Sequence, residues 1–288
     1  VSRFEEELRR SLARLRVFKK RRFSGTTNPR DVGFHPYQAI VERLSEGDKE
    51  EAIWLSFLVT ACGMLDHGDA WCSVRSLYGA FGGREPWTWP RIRGNPALFR
   101  AWLLEHRAEV RGLEFGNHRK FETHDPMKAG NIGDIVESYV AWIEGEGGGS
   151  QGAIFEEAVR SAAPDAAFEM LYRRIEVKRF GRTAKFDWLC LLGNLRIFTI
   201  APGKCYLRGS SGPLIGARRL FGGGKGRRSI EDLDSEATEL ARGLGVPIEA
   251  IEDTLCNWQK ARKNVPGGWI SAACTPGGFA TSQPLGTQ

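Results

Sequence analysis

The chain of 288 residues is 41% hydrophobic and holds nine Trp, enough apolar material to bury a core and to exclude a disordered chain. No apolar run approaches the ~20 residues that cross a bilayer, and six Cys and five His without a CxxC or HExxH pattern exclude the common zinc and iron–sulfur sites. The net charge of +6 is segregated, with nine Lys/Arg against three Glu in 1–24, fourteen against two acids in 173–228, and about −12 elsewhere, as for a molecule that lays one side on a nucleic acid.

A basic amphipathic helix is predicted over 2–22, because Phe4, Leu8, Leu12, Leu15 and Phe18 recur every three or four residues and share a face. Its last turn is cationic, which suits a helix C-terminus and also phosphates. A loop over 24–36 leads to helices at 37–45 and 48–64, the second of them buried. The stretch 79–96 is rich in Trp, Gly and Pro and reads as loop before helices at 96–111 and 132–145. Glycines between 145 and 152 predict a hinge. Beyond it lie helices at 153–162, 164–176, 185–195, 213–221, 235–243 and 247–262, while 113–116 and 197–200 are short strand-like pieces. The expected organisation is a basic helix 1–24, a helical lobe 25–150, a second lobe 151–265 and a mobile tail 266–288. The charged N-terminus is unlike a signal peptide, so a cytoplasmic location with free thiols is expected.

The informative stretch runs from Lys185 to Gly245. A helix is followed by a predicted tight turn with Gly209, Gly212 and Gly216 and then by a helix bearing Arg218 and Arg219. Glycines at such a turn let backbone N–H groups approach a phosphate, and the following helix N-terminus favours an anion. Residues 232–246, DLDSEATELARGLGV, come next. They resemble the segment after the hairpin in helix-hairpin-helix DNA glycosylases, with Leu233, Asp234, Ser235 and Ala237 in the opening positions and Glu236 where a His is frequent. The resemblance implies a mainly α, two-lobed helix-hairpin-helix glycosylase-like fold with Asp234 as the catalytic carboxylate. The ordinary role of an Asp at that place is a helix N-cap; Asp232 and Glu236 are the fallback carboxylates.

The stretches PWTW (86–89), FGNHRKFE (115–122), GRTAKFDWLCLLGNL (181–195) and YLRGSSGPLIGARRLFGG (206–223) resemble the α-glutamyl/putrescinyl thymine pyrophosphorylase family, clade 3, and, within it, bacterial antiphage glycosylases that excise α-glucosyl-5-hydroxymethylcytosine. What the resemblance implies is double-stranded DNA carrying modified bases as partner, and neither cofactor, metal nor membrane. Arg218, Arg219, Lys225, Arg227 and Arg228 are the candidate phosphate contacts. Asn117, His118, Arg119 and Lys120 form a donor-rich run suited to a base or its sugar, or else a solvated turn. Trp87, Trp89 and Phe121 either stack on an extruded base or pack between helices. Asp187 reads as structural, buried against Arg182 or Lys185. Pro213 and Leu214 stand where bifunctional relatives carry a Lys, and Lys204 is out of register, so a monofunctional enzyme is expected. The rival readings are an enzyme that displaces pyrophosphate from an activated hydroxymethyl-pyrimidine with an amine, and a non-catalytic DNA-binding module.

Overall fold

The computed structural model describes residues 2–116, 119, 122–222 and 228–260. They form fourteen α-helices and no strand. Helix α1 (Arg3–Lys20) starts at a capping box in which Ser2 and Glu5 satisfy each other's backbone N–H. After a loop come α2 (Pro36–Ser45), with Pro at its first turn, and α3 (Lys49–Cys62), capped by Asp48. Nearly every residue of α3 is buried, and its polar ring hydrogens find partners: Trp54 Nε1 donates to the Trp87 carbonyl at 2.8 Å. A helix apolar on all sides belongs at the centre of a core, and α3 packs against α2, α4 (Cys72–Tyr78), α5 (Trp89–Gly94), α9 (Gln151–Ser161) and α11 (Arg182–Asn194).

The 79–96 stretch is more ordered than its Gly and Pro suggest: it holds a short 3-10 turn (Ala80–Gly82) and α5. The single helix expected over 96–111 is two, α6 (Pro96–Glu105) and α7 (Arg107–Arg111), broken at His106. The strand-like pieces 113–116 and 197–200 are irregular; Ile197, Phe198 and Ile200 are buried in the core as loop residues.

The predicted hinge is a tight turn. Helix α8 (Ile132–Gly147) ends at Gly148 in the left-handed region, and α9 begins three residues later. Glu50 holds that junction by accepting from Ser150 Oγ at 2.9 Å, Gln151 N at 3.0 Å and Gly152 N at 2.8 Å, a carboxylate at a helix N-terminus. Tyr139 and Ile143 before the turn and Ile154 and Phe155 after it belong to one apolar cluster, so the core does not divide at 150. It divides later. The larger cluster runs from Phe34 to Tyr206 and includes α10 (Pro164–Arg174). The smaller one joins Cys205 and Leu207 to α12 (Gly212–Phe221), α13 (Ile230–Leu244) and α14 (Ile248–Lys260), with Phe4 and Leu8 of α1 against it. Phe18, at the other end of α1, packs on the larger cluster, so α1 ties the two together. The expected tail, 266–288, lies outside the described residues. No helix among the described residues is long and apolar enough to cross a membrane.

Candidate active site

The connection between α11 and α12 is longer than the expected hairpin turn. It occupies 195–211 and is held down by Arg182, whose Nε donates to the Tyr206 carbonyl at 2.8 Å and whose Nη2 donates to that of Cys205. The tight turn lies at its end: Ser210 N and Oγ both donate to the Leu207 carbonyl, at 3.0 and 2.8 Å, and Gly209 sits between them at φ +78°, where L side chains are strained.

Asp234 reaches this turn. Its Oδ2 accepts from Leu207 N at 3.1 Å, while its Oδ1 is buried without a partner. Burial pushes the carboxyl above the ordinary Asp value; the backbone N–H groups of Leu207 and Cys205 and the nearby Lys204 and Arg182 cations pull the other way. The N-cap role is taken by Ser229, which forms a capping box with Asp232, so α13 starts five residues earlier than periodicity indicates and Asp234 lies inside it. Asp232 is therefore committed to the cap, and Glu236 to an ion pair with Arg228.

Gly212 and Gly216 serve packing. A Cβ on Gly212 would stand 2.7 Å from Cys256 Sγ, and one on Gly216 would stand 2.3 Å from the Leu255 carbonyl oxygen, so these two glycines let α12 lie directly on α14. Arg218 and Arg219 are exposed at the end of α12, where Arg219 donates to the Gln259 carbonyl at 2.6 Å. Trp87 and Trp89 are 1% and 3% exposed. Trp87 packs on Phe99 and Trp102 under the Arg91 guanidinium, and Trp89 packs on Trp54 and Tyr139, so both are core residues and neither is a stacking plate at a surface. Lys225, Arg227, Asn117, His118, Lys120 and Phe121 lie outside the described residues.

Arg119 is the described member of the donor-rich run, and it is not on a solvated turn. It is buried, with Nε donating to the Thr60 carbonyl at 3.1 Å and Nη1 to that of Arg179 at 3.0 Å; Nη2 has no partner. It lines a cavity of about 150 Å³ between α1, α3, α11 and α14, together with Asp187, Glu252 and Asp253. Asp187 makes no hydrogen bond or ion pair among the described residues, and Lys185 turns away from it to the Tyr172 carbonyl, 3.3 Å from Nζ. Burial pushes Asp187 up to about 7; Glu252 acts in the same sense, and Arg182 and Arg119 oppose it. Arg182 also pairs with Glu252 at 2.6 Å, so one guanidinium touches both the cavity wall and the loop that anchors Asp234. Sequence reasoning passed over this cavity; the available signal was a lone Asp within the apolar run FDWLCLL.

The model of the alpha-glutamyl/putrescinyl thymine pyrophosphorylase clade 3 family matches residues 5–266, from within α1 to beyond α14. The chain belongs to this family. No curated protein and no solved structure is significantly similar to it. Both clusters of buried apolar residues, the cavity and Asp234 all fall inside the span that the thymine pyrophosphorylase family covers. Among the described residues no group of three or more His, Cys, Asp or Glu is arranged to hold a metal ion.

Proposed function

We propose that the protein acts on a modified pyrimidine of double-stranded DNA and hydrolyses its N-glycosidic bond, with Asp234 as the carboxylate that supports the reaction. The observation that carries this reading is the state of Asp234: the carboxylate is half-buried against the backbone N–H groups of Leu207 and Cys205 at the glycine turn, with Lys204 and Arg182 nearby, and its Oδ1 has no close hydrogen-bond partner. As the bond from C1′ to the base nitrogen lengthens, positive charge grows on the deoxyribose. A carboxylate held there stabilises that charge, and it takes a proton from the water whose oxygen bonds to C1′. The base leaves with the bonding electrons and is protonated. Since Oδ1 is covered, the 205–209 turn has to part when the nucleotide is extruded from the duplex. Arg218, Arg219 and Arg228 would meet the phosphates, Arg228 by exchanging Glu236 for one. The antiviral setting implied by α-glucosyl-5-hydroxymethylcytosine in phage DNA fits a hydrolase that leaves abasic sites.

The family's own description favours a second reading, in which an amine displaces pyrophosphate from an activated hydroxymethyl group on the base: a C–N bond forms, a C–O bond breaks, and the strand keeps its base. Incubation with DNA carrying α-glucosyl-5-hydroxymethylcytosine separates the two. Hydrolysis releases the free base and leaves alkali-labile sites, and Asp234→Asn lowers the rate by about 10²-fold or more. Release of pyrophosphate from DNA bearing a pyrophosphorylated hydroxymethylpyrimidine, with amine consumed and no alkali-labile site, would establish the transferase instead. Borohydride should trap no covalent protein–DNA adduct.

A further inference from the structure

We propose that the cavity between α1, α3, α11 and α14 is the receptor for a single pyrimidine ring, which Arg119 and Asp187 hold by its hydrogen-bonding edge. This deepens the reading of a DNA base as substrate and rests on it. Size comes first: a cavity of about 150 Å³ takes one six-membered ring, as an apolar cavity of that volume takes benzene, and the second ring of a purine would overfill it and have to project through the open side. The walls suit a flat apolar face, with Phe18, Val59, Trp71, Phe186 and Leu191 around it.

The polar groups then decide what kind of ring. Most charges at the cavity are already committed: Glu252 to Arg182 at 2.6 Å, and Asp253 to Ser11 and Arg14. Three are not: Arg119 keeps one buried N–H with no acceptor, and the carboxylates of Asp187 and Glu249 make no ion pair and no hydrogen bond to another described residue. A buried N–H such as the free one on Arg119 is rarely left in that state unless a ligand completes it, and the half-buried Asp187 carboxylate stands on the same cavity. A free donor and a free acceptor on one cavity match a ring that carries a carbonyl or ring nitrogen next to an N–H. Cytosine offers its 4-amino group to Asp187 and its N3 or O2 to Arg119; thymine offers N3–H and a flanking carbonyl. Burial holds the Asp187 pKa near 7, so the group can also present a proton to a ring nitrogen.

The sequence around Arg119 serves the same end. Gly116 N donates to the Cys62 carbonyl at 2.8 Å, and a Cβ on Gly116 would stand 2.3 Å from the Met64 carbonyl oxygen. A glycine is needed there for the backbone at 116 to lie against the end of α3. A large substituent at C5, on the edge away from these two groups, has to leave through the open side of the cavity.

The test is calorimetric titration of the full chain with free 5-hydroxymethylcytosine, thymine and adenine, none of which requires DNA or turnover. A pyrimidine should bind, adenine should not, and Asp187→Asn should weaken the pyrimidine by about tenfold. Equal affinity for adenine, no heat with any base at millimolar concentration, or an Asp187→Asn affinity within about twofold of the parent would overturn the assignment. Thermal melting checks that the variant is folded. If it is not, a crystal structure of the parent with the bound base decides, and a base found outside the cavity sinks the proposal. Asp234→Asn, run in parallel, should bind free pyrimidine like the parent. Loss of turnover on modified DNA with free-base binding intact would then count against the hydrolase reading alone.

Discussion

Asp187 links the chemistry of the cavity to the stability of the protein. In the unfolded chain it ionises near 3.8, and in the folded protein near 7. Between those values the folded protein holds a proton that the unfolded chain has released, so stability falls as pH rises from about 4 to 7 and levels off above it. The groups that set this balance are Glu252 and Asp253, which resist ionisation, and Arg182 and Arg119, which favour it. Asp187→Asn should therefore flatten the pH dependence of the denaturation midpoint and stabilise the protein at pH 8 by on the order of 2–4 kcal/mol. A variant that gains stability while losing pyrimidine affinity is the signature of a functional group kept at a cost; a variant destabilised at pH 8 would contradict it. At this scale the sequence was read unevenly. Asp234 stands out as a candidate because a local motif surrounds it. The spacing suggests a structural role for Asp187 and base or sugar recognition for Arg119, but the surroundings of both are set by segments more than fifty residues away, and no spacing rule reports them.

Among the elements, the glycines of the last lobe separate packing from turn-making. Gly216→Ala drives a methyl into the backbone of α14, which cannot yield as a flexible side chain would, and should destabilise by about 1–3 kcal/mol with a lowered melting temperature. Gly243→Ala, in α13 with nothing within 4 Å of the added carbon, should instead stabilise by about 0.5–1 kcal/mol through helix propensity. If both are neutral, α12 does not lie on α14 as described. Helices were the most legible level of the sequence, since the 3.6-residue pattern of α1, α8 and α14 is strong. Misreadings arose where the pattern is short or masked. Residues 197–200 look like strand because a buried loop and a buried strand share an apolar run. Helix α5 was hidden by Pro90 and Gly94, and the start of α13 by a capping box whose residues are all polar.

For the whole molecule the segregated charge makes a measurable demand. If Arg218 and Arg219 meet phosphates, affinity for duplex DNA should fall steeply between about 50 and 200 mM salt, and each arginine changed to Ala should reduce the slope of log affinity against log salt by about one. A double variant with an unchanged slope would remove α12 from the DNA contact. The helical class was legible in composition and pattern, but the grouping of the buried apolar side chains was not. Glycines at 145–149 announce a boundary to the eye, whereas the structure uses them in a turn sealed by Glu50.

The tie that α1 makes across both apolar units has a consequence for how the protein comes into being. One part of the wall of the ring-sized hollow comes from residues 11–18 and the part bonded to it from residues 249–256. On a ribosome the first of these emerges well before the second, and its contacts with α14 wait until almost all the described helices have followed. Contacts of such long sequence separation form late. A nascent chain therefore carries no finished receptor, and whatever the protein does to a base begins only once the two ends have met.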